Sequence, residues 1–214
     1  MNCFSLSGGN MKIEKYKKIK DNKYKIYLSN NTTIDVYDEV IIKNNLLYKK
    51  DIDEVDLNKI ENENIYQDIY NTAVKYIMVR LRSVNELRNY LLKKKYELDI
   101  VESIIIKLEK NGYLNDLIFT KAFINDKLNF TTMGKYKIKN ELIKLKISPE
   151  IIENSLEEIS EDKWIEKIDK LVSKYLKSNK KYSGNILRNK LYTYLVNLGH
   201  DTNLVIKSLN NYDF

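Results

Sequence analysis

The sequence predicts a mainly α-helical protein in which three tandem three-helix repeats form an elongated curved array, preceded by a small N-terminal module that contains a β-hairpin. Two patterns support this prediction. A β-favouring run that alternates polar and apolar residues lies before residue 40, and a column of apolar positions recurs further on at offsets of 51 and 104 residues. We place the divisions at residues 1–10 (a tail), 11–62 (the hairpin module), 63–112, 113–160 and 161–214 (the three repeats).

The hairpin is predicted from two alternating segments that a turn separates. Residues 23–28 and 33–37 favour β-structure, and the polar residues 29–32 between them are typical of a turn. Asp38 is predicted to cap a short helix over residues 39–43, followed by an extended segment at 46–48 and a polar, acidic stretch. Because an isolated hairpin is only marginally stable, we expect this module to dock on the helices that follow.

The repeats are predicted from the column of aligned residues. Leu87, Ile138 and Leu191 align at the two offsets. The same register aligns Leu91 with Leu142 and Leu195, Leu92 with Ile143 and Val196, Tyr96 with Ile147 and His200, Ile100 with Ile151 and Leu204, Val101 with Ile152 and Val205, and Ile105 with Leu156 and Leu209. Units of ~50 residues are typical of helical repeat arrays. In the first repeat we predict helices over residues 66–80, 84–95 and 99–110.

Capping residues agree with these boundaries. Ser83 and Glu86 form the Ser-x-x-Glu pattern of a capping box, in which each side chain satisfies a backbone N–H group of the other residue. Ser148 precedes Pro149, which suits the first position of a helix, and Asp201 occupies the aligned place in the third repeat. Glycines at 112, 134, 184 and 199 also fall at predicted helix ends.

The composition disfavours several classes of protein. Cys3 and His200 are the sole cysteine and histidine, so a disulfide scaffold is excluded and a structural metal is improbable. No apolar window is long enough for a membrane span, residues 1–10 do not resemble a signal peptide, and we expect a cytoplasmic protein. Catalytic and phosphate-binding motifs are missing, so we predict no enzymatic activity and no cofactor, with His200 in a structural role.

The net charge of +7 is distributed in blocks. Residues 73–96 and 163–190 are strongly basic, residues 135–146 are moderately basic, and residues 51–68 and 150–162 are acidic. Basic blocks favour a polyanionic partner, although charge runs on helices can also be ordinary solvated faces. The candidate contact residues are Arg80, Arg82, Arg88, Lys93, Lys94, Lys135, Lys139, Lys174, Lys177, Lys180, Lys181, Arg188 and Lys190.

Arginine is rare in this chain, and three of the four arginines lie between residues 80 and 88. Arg82 lies just before a predicted helix start, where the helix dipole disfavours a cation. An acidic group outside the helix explains it better, and three sources stay open: a carboxylate of a partner protein, a phosphate, or an acidic residue of this chain, such as one in the stretch 51–68.

These motifs together resemble the RecX family, whose members regulate the RecA recombinase. The resemblance rests on Arg82-Ser83-x-x-Glu86-Leu87 with Leu91 and Leu92, on Leu108-x-x-x-Gly112-Tyr113-Leu114-Asn115-Asp116 with Phe119 and Ala122, and on Glu141-Leu142 with Ile147. It covers residues from about 73 to the C-terminus. The hairpin module is similar to the N-terminal extension of RecX from low-GC Gram-positive bacteria. Lys95 and Lys146 depart from the family, which has glycine at both places, whereas Gly199 keeps it.

We expect a monomer. The resemblance implies a regulator that binds RecA filaments on single-stranded DNA and lies in the filament groove. It would limit strand exchange and the ATPase activity of RecA, in homologous recombination, DNA repair and the SOS response. It implies no catalytic residue. Two alternatives stay open: a DNA-binding module that acts alone by placing a helix in a groove, as helix-turn-helix proteins do, and a scaffold that binds only proteins.

Overall fold

The computed structural model of the chain describes residues 10–20, 22–179 and 181–214. These residues form a four-stranded antiparallel sheet followed by a series of helices, which confirms the mainly α-helical class with an N-terminal β-containing module. The elements are β1 (Met11–Lys20), β2 (Lys23–Leu28), β3 (Thr33–Tyr37), α1 (Asp38–Lys43), β4 (Asp51–Ile52), α2 (Glu54–Ile77), α3 (Val84–Lys93), α4 (Leu98–Lys110), α5 (Asp116–Phe130), α6 (Lys135–Lys144), α7 (Pro149–Glu157), α8 (Glu161–Ser178), α9 (Gly184–Asn197) and α10 (Thr202–Leu209).

The chain divides into two compact units. The first comprises the described residues up to Val79 together with Leu91–Ile104, and the second comprises Arg80–Tyr90 together with Ile105–Phe214. Most of the predicted tail, residues 1–9, lies outside the described part of the chain. Within that part, none of the helices has the length and apolar character that crossing a membrane requires.

The sheet of the first unit has the strand order β3-β2-β1-β4. The predicted hairpin is confirmed as β2 and β3, in which Ile26 pairs with Ile34 across the turn. Strand β1 was not predicted, because an irregularity between Ile13 and Lys15 interrupts its alternation of apolar and polar residues. Its core contacts come instead from Met11, Ile13 and Tyr16. The short helix is also confirmed, but Asp38 is its first residue rather than its cap.

Helix α2 begins much earlier than predicted. We expected a helix from residue 66, whereas α2 starts at Glu54 and includes most of the acidic stretch. Asp53 and Asp56 form a capping box at this start. Asn64 joins the helix to the sheet, because its amide accepts the Tyr37 N–H and donates to the carbonyl of Asp35. The proposed boundary at residue 62 therefore falls inside a helix.

Three further predicted segments differ in detail. Residues 46–48, expected to be extended, form part of a turn. The helix predicted over residues 84–95 ends as α3 at Lys93, and the one predicted over residues 99–110 begins as α4 at Leu98. These differences of one or two residues are usual for helix ends.

The aligned column is buried in all three repeats. At most 2% of the surface is exposed for each of Leu87, Leu91, Val101, Ile105, Ile138, Leu142, Ile152, Leu156, Leu191, Leu195, Val205 and Leu209. Leu92 and Ile143, which also align, lie at the surface. The column therefore marks the inward faces of the second and third helices of each repeat, as the helical period requires.

The predicted caps of the second and third repeats are confirmed. The Ser148 hydroxyl accepts the Ile151 N–H at α7, and the Asp201 carboxylate accepts two N–H groups at α10. After the second helix of each repeat the backbone is left-handed, with φ values of 64° at Lys95, 58° at Lys146 and 84° at Gly199. The two lysines that depart from the family pattern thus adopt a conformation that favours glycine.

Candidate nucleic-acid interface

The arginines at the start of α3 surround two carboxylates of the same chain. Ser83 and Glu86 form the predicted capping box, with hydrogen bonds of 3.1 Å and 3.0 Å. Arg80 donates to Glu86 Oε1 at 2.6 Å, and the Nη1 atom of Arg82 lies 3.7 Å from the same oxygen. Burial acts to raise the pKa of Glu86, but these hydrogen bonds and the two guanidinium charges lower it below its ordinary value.

Arg82 therefore has a role within the chain. Its side chain is only 14% exposed, against 52% for Arg80. Of the three acidic partners considered, an observed contact is with a residue of this chain, Glu86. The cost of a cation at a helix start is offset because Glu86 lies in the same first turn.

Asp116 extends this cluster from a distant part of the sequence. Its Oδ1 atom accepts the N–H of Val84, the first residue of α3, at 2.8 Å. Burial raises the pKa of Asp116, although the Val84 N–H and the nearby charge of Arg88 act to lower it. Sequence reasoning missed this role because 32 residues separate the two partners and no local spacing connects them.

In the middle basic block, part of the charge is neutralised within the chain. Lys139 forms an ion pair with Glu153, and Lys144 forms one with Glu141 at 2.9 Å. Lys139 was a candidate contact residue, and its ammonium group already has an acidic partner. Lys135 is half-buried at the start of α6.

Five of the nine cations of the third basic block lie on α8. Its lysines fall at spacings of four and three residues, which places them on one face of the helix: Lys163, Lys167, Lys170, Lys174 and Lys177. This set is called the α8 lysine stripe below. Lys163, Lys174 and Lys177 are exposed and have no ion pair within the described residues, whereas Lys170 bonds to Glu166 at 2.7 Å.

Lys167 differs from the rest of the α8 lysine stripe because it is only 7% exposed. Its Nζ atom donates to the carbonyl oxygens of Lys127 and Leu128, at 2.6 Å and 2.7 Å. These carbonyls lie in the last turn of α5, where a helix favours a cation. Burial lowers the pKa of Lys167 to about 8. We counted this lysine in the basic block, but it is a structural cation that joins α5 to α8.

Further cations follow the α8 lysine stripe in the sequence, and Lys181 and Lys190 among them are exposed. Lys181 and Lys190 lie over the ring of Tyr182, 5.0 Å and 4.5 Å from its centre, and a hydrogen bond from Lys181 and both charges lower the pKa of Tyr182. Arg188 donates to the side-chain oxygen of Asn210 at 2.6 Å. Lys180, another candidate, lies outside the described residues. Lys93 and Lys94 are exposed at the end of α3.

His200 has the structural role that its alignment predicts. It is 2% exposed, and its Nε2 atom lies 3.1 Å from the carbonyl oxygen of Thr132. Burial lowers its pKa to about 4, so the ring is neutral near pH 7. Within residues 10–20, 22–179 and 181–214, no three acidic, histidine or cysteine side chains are placed to hold a metal ion. Cys3 lies outside those ranges.

Known proteins identify the family. The family model described as "RecX, first three-helix domain" matches residues 70–108, and the model described as "RecX, second three-helix domain" matches residues 115–156. A protein of Halalkalibacterium halodurans named regulatory protein RecX is 31% identical over 194 residues, which cover 88% of this chain and 73% of that protein. The chain belongs to the RecX family. A regulatory protein RecX of Listeria monocytogenes is 29% identical over 91% of this chain and 73% of its own length.

Solved RecX structures agree with the fold. A crystal structure of a regulatory protein RecX has a TM-score of 0.81 at 19% identity, covering 94% of this chain and 100% of the other. RecX from Lactobacillus salivarius has a TM-score of 0.65 at 23% identity, covering 68% of this chain and 95% of the other. The RecX motif itself is largely structural here, because Ser83, Glu86 and Asp116 all fix the first turn of α3.

Proposed function

We propose that this RecX-family chain is a non-enzymatic regulator that binds the RecA recombinase and its filament on single-stranded DNA. It limits strand exchange and ATP hydrolysis by RecA, and thereby acts in homologous recombination, DNA repair and the SOS response. Family membership is the observation that carries the proposal, because relatives that match up to 91% of the chain are named regulatory proteins.

The distribution of unpaired charge supports a polyanionic partner. Lys163, Lys174 and Lys177 on α8, with Lys181 and Lys190 beyond it, are exposed. Cations without carboxylate partners attract phosphates and release counterions when they bind them. The arginine cluster at α3 offers less, since its guanidinium groups already surround Glu86. We therefore assign the nucleic-acid contact mainly to the third repeat.

Binding to naked and RecA-coated single strands tests the proposal. The affinity of the protein for a labelled single strand should rise about tenfold or more when RecA coats it, a factor typical of coupled binding sites. Addition of the protein should also slow strand exchange by RecA. Equal affinity for naked and coated strands, with strand exchange unaffected, would contradict regulation of RecA.

Salt dependence tests the assignment to the third repeat. A variant with Lys174, Lys177, Lys180 and Lys181 changed to Gln should show a shallower dependence of log K on log salt, by about 0.7 for each phosphate that the variant no longer binds. An unchanged slope would remove the third repeat from the contact surface. A matched variant would change four cations that have acidic partners outside the third repeat, Lys43, Lys49, Lys121 and Lys144, and should keep the slope.

The unpaired α8 lysines also favour a second candidate, a DNA-binding module that acts without RecA. They would attract a phosphate backbone whether or not a protein covers it. The same assay separates the two functions, because a module of this kind binds the naked strand at least as tightly as the coated one. A scaffold that binds only proteins would show no salt-dependent binding to the naked strand.

A further inference from the structure

A cleft of about 430 Å³ lies between α5 and α8 in the second unit. Asn125, Leu128 and Asn129 contribute to its α5 side, and Lys163, Leu171 and Lys174 to its α8 side. The volume falls within the range of small-ligand sites. The lining is mostly polar and includes Glu166 as well as lysines, and Leu128 and Leu171 supply its apolar surface. The α5–α8 cleft is more specific than a basic surface because it offers three kinds of contact.

The first contact is charge at both ends of the cleft. Lys163 and Lys174 are exposed and have no ion pair within the described residues. Eleven residues of helix separate them by about 16 Å along α8. A strand that follows the helix axis would therefore place one phosphate near each ammonium group, with at least one nucleotide between them.

The second contact is an open amide pair. The side-chain nitrogen of Asn129 donates to the side-chain oxygen of Asn125 at 2.9 Å. This bond leaves the amide nitrogen of Asn125 and the amide oxygen of Asn129 without a partner in the described structure, where both side chains are exposed. A neighbouring donor and acceptor can pair with the edge of a nucleic-acid base, as amide side chains do in known complexes.

The third contact is an apolar surface with a fixed geometry. Leu128 and Leu171 are half-buried in the lining and can cover the face of a flat ring. The buried Lys167 holds this wall in place, because its Nζ atom binds two carbonyls of the last turn of α5. The two helices that carry the lining are therefore joined at the cleft itself, since Lys167 also belongs to the lining.

We propose that the α5–α8 cleft holds one base of a single-stranded nucleic acid, with flanking phosphates on Lys163 and Lys174. The inference deepens the proposed function and rests on it for the identity of the strand as the DNA of a RecA filament. An acidic peptide fits less well, since it would use the lysines but neither the leucines nor the open amide pair.

Two variants and two probes test this base site without RecA. The probes are a labelled thymidine oligonucleotide and an abasic oligonucleotide of equal length. The wild-type protein should bind the thymidine strand about fivefold or more tightly than the abasic strand, since a paired donor and acceptor on a base edge is worth about 1–3 kcal/mol. Asn129→Leu should lose most of this preference, with an unchanged salt slope, because it removes the amide acceptor but no charge and leaves Leu128 and Leu171 in place.

The charge variant should behave in the opposite way. Changing Lys163 and Lys174 to Gln should weaken binding to both probes and reduce the salt slope by about 1.4, for two phosphates. A matched variant with Lys110 and Lys146 changed to Gln loses the same charge from exposed positions outside the cleft, and it should keep the slope. Unchanged thermal unfolding of each variant shows that the fold is intact.

Three results would overturn the base site. These are equal wild-type affinity for the two strands, a base preference that is undiminished in Asn129→Leu, and an oligoglutamate peptide that binds more tightly than either strand through the same lysines. Failure here leaves the proposed function standing if RecA-coated strands still bind more tightly. Conversely, the base site stands on naked strands even if RecA proves not to be the partner.

Discussion

Helices α3 and α6 occupy the same position in successive repeats, but different chemistry holds their first turns. At α3 the N–H groups of Val84 and Glu86 donate to the side chains of Asp116 and Ser83. At α6 the N–H of Gly134 donates to the carbonyl of Leu198 at 2.8 Å, and that of Tyr136 to the carbonyl of Gly199 at 2.9 Å. One repeat uses side chains to satisfy these donors, and the next uses the backbone of a distant segment.

The difference has consequences for substitution. A side-chain cap can be removed by truncation, which leaves one or two N–H groups for water to satisfy. A backbone cap needs close approach of two chain segments, so it limits the size of the residue at the contact. Gly134 meets this need, because a Cβ atom there would overlap the backbone of Gly199 and His200.

Gly134→Ala should therefore have the largest effect in this comparison. The added methyl group meets backbone atoms, which cannot move aside as a side-chain end can, so we expect a loss of about 3 kcal/mol or more in the free energy of unfolding. Denaturant unfolding measures it. Gly112→Ala is the control, because it has open space around the new atom and only the left-handed φ of 74° to penalise it, about 1 kcal/mol. Equal losses in the two variants would contradict the close approach.

Acid should weaken the contact between Gly134 and the backbone of Gly199 and His200, because His200 becomes protonated. The pKa of His200 falls from 6.5 to about 4 on folding, so between these values the unfolded state binds more protons than the folded state. Its stabilising contribution is complete above pH 6.5 and is lost as the pH falls toward 4, by up to about 3 kcal/mol. Unfolding free energy measured across this range should be flatter in His200→Leu. An identical slope in the variant would assign the acid sensitivity to other groups.

The side-chain cap of α3 should give a smaller effect. Ser83 is fully buried, and Ser83→Ala removes the acceptor for the Glu86 N–H, at a cost of about 1 kcal/mol. Ser103→Ala is the control, since Ser103 is exposed and its hydroxyl only donates to a carbonyl of its own helix. The midpoint of denaturant unfolding should shift for the first variant and stay nearly constant for the second. A shift of equal size in both would show that the Ser83 hydrogen bond adds no more to the free energy of unfolding than an exposed serine does.

The same contrast explains what the sequence could predict. The capping box at Ser83 and Glu86 is a local pattern, and the apolar column follows the helical period, so both were found from spacing alone. The carbonyls of Leu198 and Gly199 at α6 carry no residue signature, because any residue has a carbonyl. The contact of Asp116 with α3 could not be predicted either, because a single carboxylate 32 residues from its partner forms no repeating pattern in the sequence.

Charge was the least predictable property of the candidate site. The composition of a block gives each lysine equal weight, but Lys167 is buried on helix carbonyls and Lys139 pairs with Glu153. Three acidic partners stayed open for Arg82, and the sequence did not single out Glu86, which serves the cap and the arginine together. Only three-dimensional neighbours reveal which cations remain available to a phosphate.

Glycine at the end of the second helix provides the smallest and sharpest test of the comparison. Lys146 and Gly199 occupy aligned positions with left-handed backbones, at φ values of 58° and 84°. Lys146→Gly should raise the free energy of unfolding by about 0.5 kcal/mol, because relief of the left-handed penalty slightly exceeds the greater freedom of glycine in the unfolded chain. The midpoint of denaturant unfolding measures the gain.

Lys144→Gly is the matched control, because it removes the same charge two residues earlier from a helical position, and should destabilise by up to about 1 kcal/mol. Gly199→Ala completes the set. Its Cβ atom would lie 2.8 Å from the backbone nitrogen of Lys137, so it should lose far more than the gain at Lys146. A gain at Lys146 with this loss at Gly199 would mean that backbone conformation alone favours glycine after α6, whereas packing against α6 requires it after α9. Destabilisation by Lys146→Gly would instead show that the lysine side chain contributes more than its backbone costs.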